Sequence, residues 1–255
     1  MGRLKNMSKD SGLLLEAYKD IVSPIAKQIG ISAAEVAKLI LSPIYQPTKF
    51  LNNRIEKWFA RINSEVPKEN LVEANPNITI PTIQALAINQ DESIIGEMFY
   101  NILKSSVDKE KQKFNSPAFP RILEQLTRDE CLFLLLLSKK SYKFHHEQDI
   151  DEDKQIFFNS REILNELPLE NFYFKENIWL YNSLLTHLNL SGCWEYKSQE
   201  PIFSDKTVTE QNGAFSSVRN KQTGIRIFSE FKLTDFGKQF CNVCVSDKCD
   251  EFIKL

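Results

Sequence analysis

The segment "SIIGEMFYNILKSSVDKEKQKFNSPAFPRILEQLTRDECLFLLLL", residues 93–137, most constrains what this chain can fold into. Ile94, Ile95, Met98, Phe99, Ile102 and Leu103 recur at the helical interval and form one wide apolar face. Lys104 and the solvated "DKEKQK" close that helix. Ser116 and Pro117 open a short one, because proline suits a first helical turn. Thr127 and Glu130, at capping-box spacing, start a third through "CLFLLLLSKK", which is apolar nearly all round. Stripes this wide must be buried against one another, and the prolines of "SPAFPRIL" read as a joint between two apolar helices.

The preceding segment repeats the theme. "GLLLEAYKDIV" places Leu14, Tyr18, Ile21 and Val22 on one face, and Ser32 and Glu35 open a further helix at capping-box spacing. In "PTKFLNNRIEKWFARIN", Leu51, Ile55, Trp58, Phe59 and Ile62 lie opposite Asn52, Glu56, Lys57 and Arg61. Residues 64–81 are punctuated by Pro67, Pro76 and Pro81 and read as an extended connector. Helix is expected again from Pro81 to Asn89, and once more after an Asp91 cap.

After the joint at "SPAFPRIL" the pattern changes, with "CLFLLLLSKK" as the first helix of the C-terminal unit. "NSREILNELP" reads as a short capped helix and "KENIWLYNSLLTHLNLSG" as a longer one ending at Gly192. "CWEYKS" and "GIRIFSEFKLT" read as strands separated by a long polar tip, and "TDFGKQFCNVCV" as a helix capped by Thr234. Helix, helix, helix, strand, strand, helix is the order of a winged helix. The expected fold is therefore mainly α: an N-terminal helical unit, 1–115, followed by a winged-helix-like α+β unit, 116–255, with a small antiparallel sheet.

Composition narrows the function classes. Only eight Gly stand against 18 Phe, seven Tyr and three Trp, which favours filled cores over glycine-rich loops that cradle phosphate. The net charge of -2 exerts no general pull on nucleic acid. Locally the chain is less even: residues 1–61 carry ten Lys/Arg against five Asp/Glu, and 145–170 carry two against eight. No apolar run approaches the eighteen or so residues of a membrane span, and an odd count of five cysteines fits reduced thiols, so a cytoplasmic protein is expected.

Candidate site residues follow from residue chemistry. The expected third helix offers Asn182, Thr186 and Asn189 to a groove, and the wing offers Arg219, Lys221, Arg226 and Lys232 to phosphate, which makes nucleic acid one partner class. Cys241, Cys244 and Cys249 in "CNVCVSDKC" have the spacing of thiolate metal ligands, with small buried side chains on a terminal helix as the alternative. "HHEQDIDED" reads as a solvated connector, its alternative being a metal-dependent hydrolytic centre using Asp149, Asp151 and Asp153. No catalytic residues and no cofactor are assigned. A protein partner is the first expectation, with a membrane surface for the basic N-terminal helices and self-association as further ones.

"PIYQPTKFLNNRI", "IPTIQAL", "SIIGEMFYNILKSSVD" and "NSPAFPRILEQLTRDE", in that order, with "LTDFGKQF" near the end, resemble the abortive infection alpha family of bacterial proteins. The family often has His before the proline where this chain has Ser116, so no role passes to that position. The resemblance implies a setting, phage defence by abortive infection, and no reaction; the residues themselves lead to the expectation that the protein acts there through binding.

Overall fold

The computed structural model describes residues 49–151, 156–204, 209–211, 214–216 and 222–253. The helices expected within 1–48 lie outside the described residues. In chain order the elements are α1 Lys49–Glu65, α2 Pro76–Ile88, α3 Ile94–Val107, α4 Ala118–Leu123 and α5 Arg128–Lys139, then β1 Tyr142–Asp151 and β2 Ile156–Asn165. They continue with α6 Ile178–His187, β3 Ser191–Phe203, β4 Thr209–Gln211, β5 Ala214–Ser216, β6 Gln222–Leu233 and α7 Asp235–Cys244. The described residues fall into two compact units, 49–135 with 239–253, and 136–238.

The helical unit forms where the apolar periodicity requires it. Met98, Phe99, Ile102 and Leu103 of α3 are fully buried, as are Phe119 and Leu123 of α4 and Leu132, Phe133 and Leu134 of α5. The Phe119 ring meets Phe240 edge-on at 5.2 Å between centroids. Two local expectations shift. Helix α2 begins at Pro76, because Asn75 accepts a hydrogen bond from the Asn77 amide at 3.0 Å and caps it. Ser93 caps α3 by accepting from the Gly96 amide at 3.0 Å. Asp91, expected as that cap, instead accepts from Arg54 at 2.7 and 3.0 Å and from the Trp58 indole at 2.9 Å.

Charged groups join these helices. Arg54 of α1 also donates to the carbonyls of Leu86 and Ala87, satisfying acceptors that the end of α2 leaves unpaired. Arg61 forms a bidentate pair with Glu97 of α3 at 2.6 and 2.7 Å, and Glu97 is only 2% exposed. The same guanidinium lies 3.7 Å from the centroid of the Tyr100 ring, while Glu65 accepts from both Arg61 and Lys104. Asn101 donates to the carbonyl of Cys244 at 2.9 Å and to Ser246 at 3.0 Å, fastening the end of α7 to α3.

The second unit overturns the mainly α, winged-helix expectation. Its centre is a four-stranded antiparallel sheet in the order β2-β1-β6-β3, and β4 and β5 pair separately; the chain is α+β. The expected loop over "HHEQDIDED" is, through Asp151, part of β1, and the expected helix "NSREILNELP" contributes most of β2. Cross-strand charge explains the acidic strand: Glu147 pairs with Arg226 of β6 at 2.6 Å, and Asp149 pairs with Arg161 of β2 at 2.8 Å. A run that looks too acidic to be ordered is neutralised by guanidinium groups on both neighbouring strands.

Helix α6 ends at His187, five residues before the expected Gly192. Asn189, not glycine, takes the left-handed conformation there, with φ 56°, and the Leu190 amide returns to the Leu185 carbonyl. Thr234 caps α7 as expected, accepting from the Gly237 amide at 2.8 Å. Gly237 is required by close approach, since an added Cβ would stand 1.8 Å from the Leu190 carbonyl oxygen.

Phe119→Ala is expected to destabilise the protein by about 3–5 kcal/mol in urea denaturation, the cost of removing a buried aromatic ring. Burial pushes the Asp91 carboxyl up, but hydrogen bonds from Arg54 and Trp58 outweigh it and hold the group below its usual value. Asp91 therefore contributes stability above about pH 4 that is lost as pH falls through its folded pKa. Asp91→Asn should flatten the acid limb of the stability-versus-pH curve.

Candidate functional site

Where α5 ends and α7 begins, the sheet unit forms an open cleft of about 810 Å³. Its lining includes Lys139 and Lys140 from the end of α5, Trp194 from β3, Lys232 from β6, and Asp235 and Lys238 from α7. Four ammonium groups thus face one lining carboxylate. Lys139 and Lys140 follow the helix rule that cations favour the negative end of the macrodipole. Lys238 pairs with Asp235 at 2.9 Å and Lys232 with Glu230 at 2.7 Å. Lys140 lies 4.9 Å from the centroid of the Tyr142 ring.

Trp194 is held by its own strand. In the β3–β6 register Gly192 stands opposite Lys232 and Trp194 opposite Glu230, so Gly192 and Trp194 share a face. A Cβ on Gly192 would come within 2.6 Å of the indole, which shows that the ring lies back over the glycine. Lys232 is 5.7 Å from the ring centroid. The indole is nevertheless 40% exposed.

A second surface follows β2, a free edge of the four-stranded sheet. Ile156, Phe157, Phe158, Ile163 and Leu164 are all exposed, Phe157 by 50% and Phe158 by 44%. Asn159 and Ser160 together oppose Gln148, and Asn159 takes φ 50°, so the strand is bulged between its two apolar stretches. Around α6, Trp179 and Leu180 are also exposed, although the Trp179 ring touches Phe144 at 4.9 Å and Phe231 at 5.4 Å.

The residues expected to contact nucleic acid are dispersed. Asn182 is buried, Thr186 donates to the Asn182 carbonyl at 2.7 Å, and Asn189 forms the left-handed end of α6. Arg226 is engaged by Glu147. Arg219, Lys221 and Asp153 lie outside the described residues. Among the described ones, Lys232 reaches the cleft. Lys139, Lys140, Lys238 and Trp194 are not among the residues expected from sequence; the "SKK" that closes α5 was the available signal, and strand pairing supplied the rest.

The histidines and cysteines are placed as structural residues. His145 lies 2.6 Å from the Tyr196 hydroxyl and edge-on to Phe228, and burial pushes His145 and His146 below their usual pKa. Cys131, Cys241, Cys244 and Cys249 are buried. Burial raises all four thiols, Cys241 to about 12, so they are protonated at neutral pH. Among the described residues no group of three His, Cys, Asp or Glu is placed to hold a metal ion. Among them, too, no helix is long and apolar enough to cross a membrane.

The profile of the family described as abortive infection alpha matches residues 48–244, well over half of the 255 residues. The chain belongs to the abortive infection alpha family. No curated protein and no solved structure matches it. The matched span includes α1–α7 and the whole four-stranded sheet, so both surfaces described above fall inside the family region.

Thiol reactivity checks the cysteine placement. In native protein at pH 7.5, Ellman's reagent should label at most Cys193, the one cysteine that is not fully buried, and all five only after unfolding in guanidinium.

Proposed function

We propose that this family member acts in abortive infection as a cytoplasmic binding protein, and that it engages a protein partner through the apolar edge of its sheet unit. The observation that carries this reading is the exposure of Ile156, Phe157, Phe158, Ile163 and Leu164 along one free strand. Large apolar side chains gathered on a sheet edge are an aggregation hazard, and their retention on a folded domain marks a surface that is covered when the protein works. The strand limits indiscriminate pairing. Its bulge at Asn159 and Ser160 interrupts the backbone ladder, and Arg161 and Glu162 place charge between the apolar stretches. Recognition therefore runs through the side chains, with aromatic anchors at the centre as in other protein interfaces.

The paired substitution Phe157→Ser and Phe158→Ser tests it. Both rings are about half exposed, so the variant should keep its thermal midpoint within a few degrees. Cells expressing it should lose phage protection in an efficiency-of-plating assay. Affinity for the partner recovered by crosslinking from infected cells should fall about 30-fold or more, the effect of losing an interface hot spot. Full protection from a stably folded double variant would overturn the proposal.

A further inference from the structure

We propose that the lysine-lined cleft binds a nucleotide unit, meeting its phosphate with Lys139, Lys140, Lys232 and Lys238 and stacking its base on Trp194. This does not depend on the apolar edge being a docking surface. Three independent features converge. First, cations outnumber anions: four lysines line the cleft, against the carboxylates of Asp235 and Glu230 that pair with Lys238 and Lys232, in a chain whose overall charge is -2. Local concentration of ammonium groups, not net charge, determines where a phosphate settles.

Second, the aromatic surface is prepared. The indole lies over Gly192 on one side, because no side chain stands there, and remains 40% exposed. A flat, outward ring beside a lysine is the arrangement in which a base stacks while its phosphate reaches the ammonium groups. Third, the volume fits: about 810 Å³ is within the range of small-ligand sites.

The chemistry also selects the ligand class. Lysines are point charges on flexible stems, suited to phosphate oxygens at varied positions, whereas planar bidentate recognition calls for arginine. None of the lining residues is an arginine. Phosphate is here met by side chains, not by a glycine-rich backbone loop, which agrees with the few glycines of the chain. Base contact is by stacking, so single strands are expected to bind without strong sequence preference, and duplexes, whose bases are already stacked inside, to bind less well.

The unit can come from a free nucleotide or from a single strand, and one experiment separates them. Full-length protein is titrated in parallel with AMP and ATP by calorimetry, and with fluorescein-labelled 12-mers of dT and rU by anisotropy, with a duplex of equal length, inorganic phosphate and phosphatidylglycerol vesicles alongside. Saturable binding of the oligomers, stronger than of AMP and weakened by salt, assigns a strand. Equal or tighter binding of ATP assigns a free nucleotide. In either case Lys140→Glu with Lys238→Glu should weaken binding at least tenfold, and Trp194→Ala should weaken it about 5- to 100-fold, a loss that Trp194→Phe largely restores. Gly192→Ala, which pushes the indole from its seat, should weaken binding with Trp194 still present. The proposal is overturned if Trp194→Ala leaves affinity unchanged in a variant of unaltered thermal midpoint. It is equally overturned if inorganic phosphate binds as tightly as the nucleotides, if the duplex binds best, or if only the vesicles bind.

Discussion

Strand β6 is the element on which the sheet unit depends. It is paired along its length with β1 on one side and β3 on the other, and Ile225, Ile227, Phe228, Phe231 and Leu233 along it are buried. Hydrogen bonding on both edges gives the strand no alternative register, because a slip by one residue would turn its apolar set to the wrong face. Everything notable about this unit is positioned by that register. Arg226 is set opposite Glu147, which allows an acidic segment to become β1, and β1 in turn supplies the ladder on which β2 forms. Further along, Lys232 is set opposite Gly192, beside the Trp194 indole. The apolar edge and the basic cleft are thus consequences of one strand's pairing.

The helical unit relies on a different balance. Its apolar faces supply non-directional burial, while a small set of charged contacts fixes which faces meet. Glu97 is buried against a bidentate pair with Arg61 and lies 3.7 Å from Lys248, while Arg61 is shared with Glu65, so the pair is the centre of a small charged network that joins α1 to α3. Arg54 does comparable work at the end of α2, where one side chain serves three backbone carbonyls, those of Leu86, Ala87 and Asn89, and Asp91 together. The buried thiols belong to the same core. Burial raises their pKa, and they fill the core as small apolar side chains.

The sequence was legible wherever the signal was local. Helical periodicity located α3 and α5, and Ser116 and Thr234 marked the openings of α4 and α7. It misled where partners distant along the chain decided the conformation. "NSREILNELP" has a plausible helix cap and too little β-branching to announce a strand, yet its residues through Asn165 pair with β1. "HHEQDIDED" reads as solvated because its neutralising partners, Arg161 and Arg226, stand 12 and 79 residues from the acids that they bond. The candidate site was hidden for the same reason, since Lys140, Trp194, Lys232 and Lys238 are ordinary residues until the strands bring them to one cleft.

By itself the sequence determined the helical stripes, the caps of α5 and α7, the absence of an apolar run of membrane-spanning length, and membership of the abortive infection alpha family. These are properties of residues within a few positions of one another, where side-chain period and capping chemistry act directly. Only the tertiary structure decided that the acidic segment is a strand, that an aromatic edge is exposed and that four lysines share a cleft with one indole. Those outcomes depend on cross-strand pairing, in which the energy of each residue is set by a partner that the local sequence does not contain.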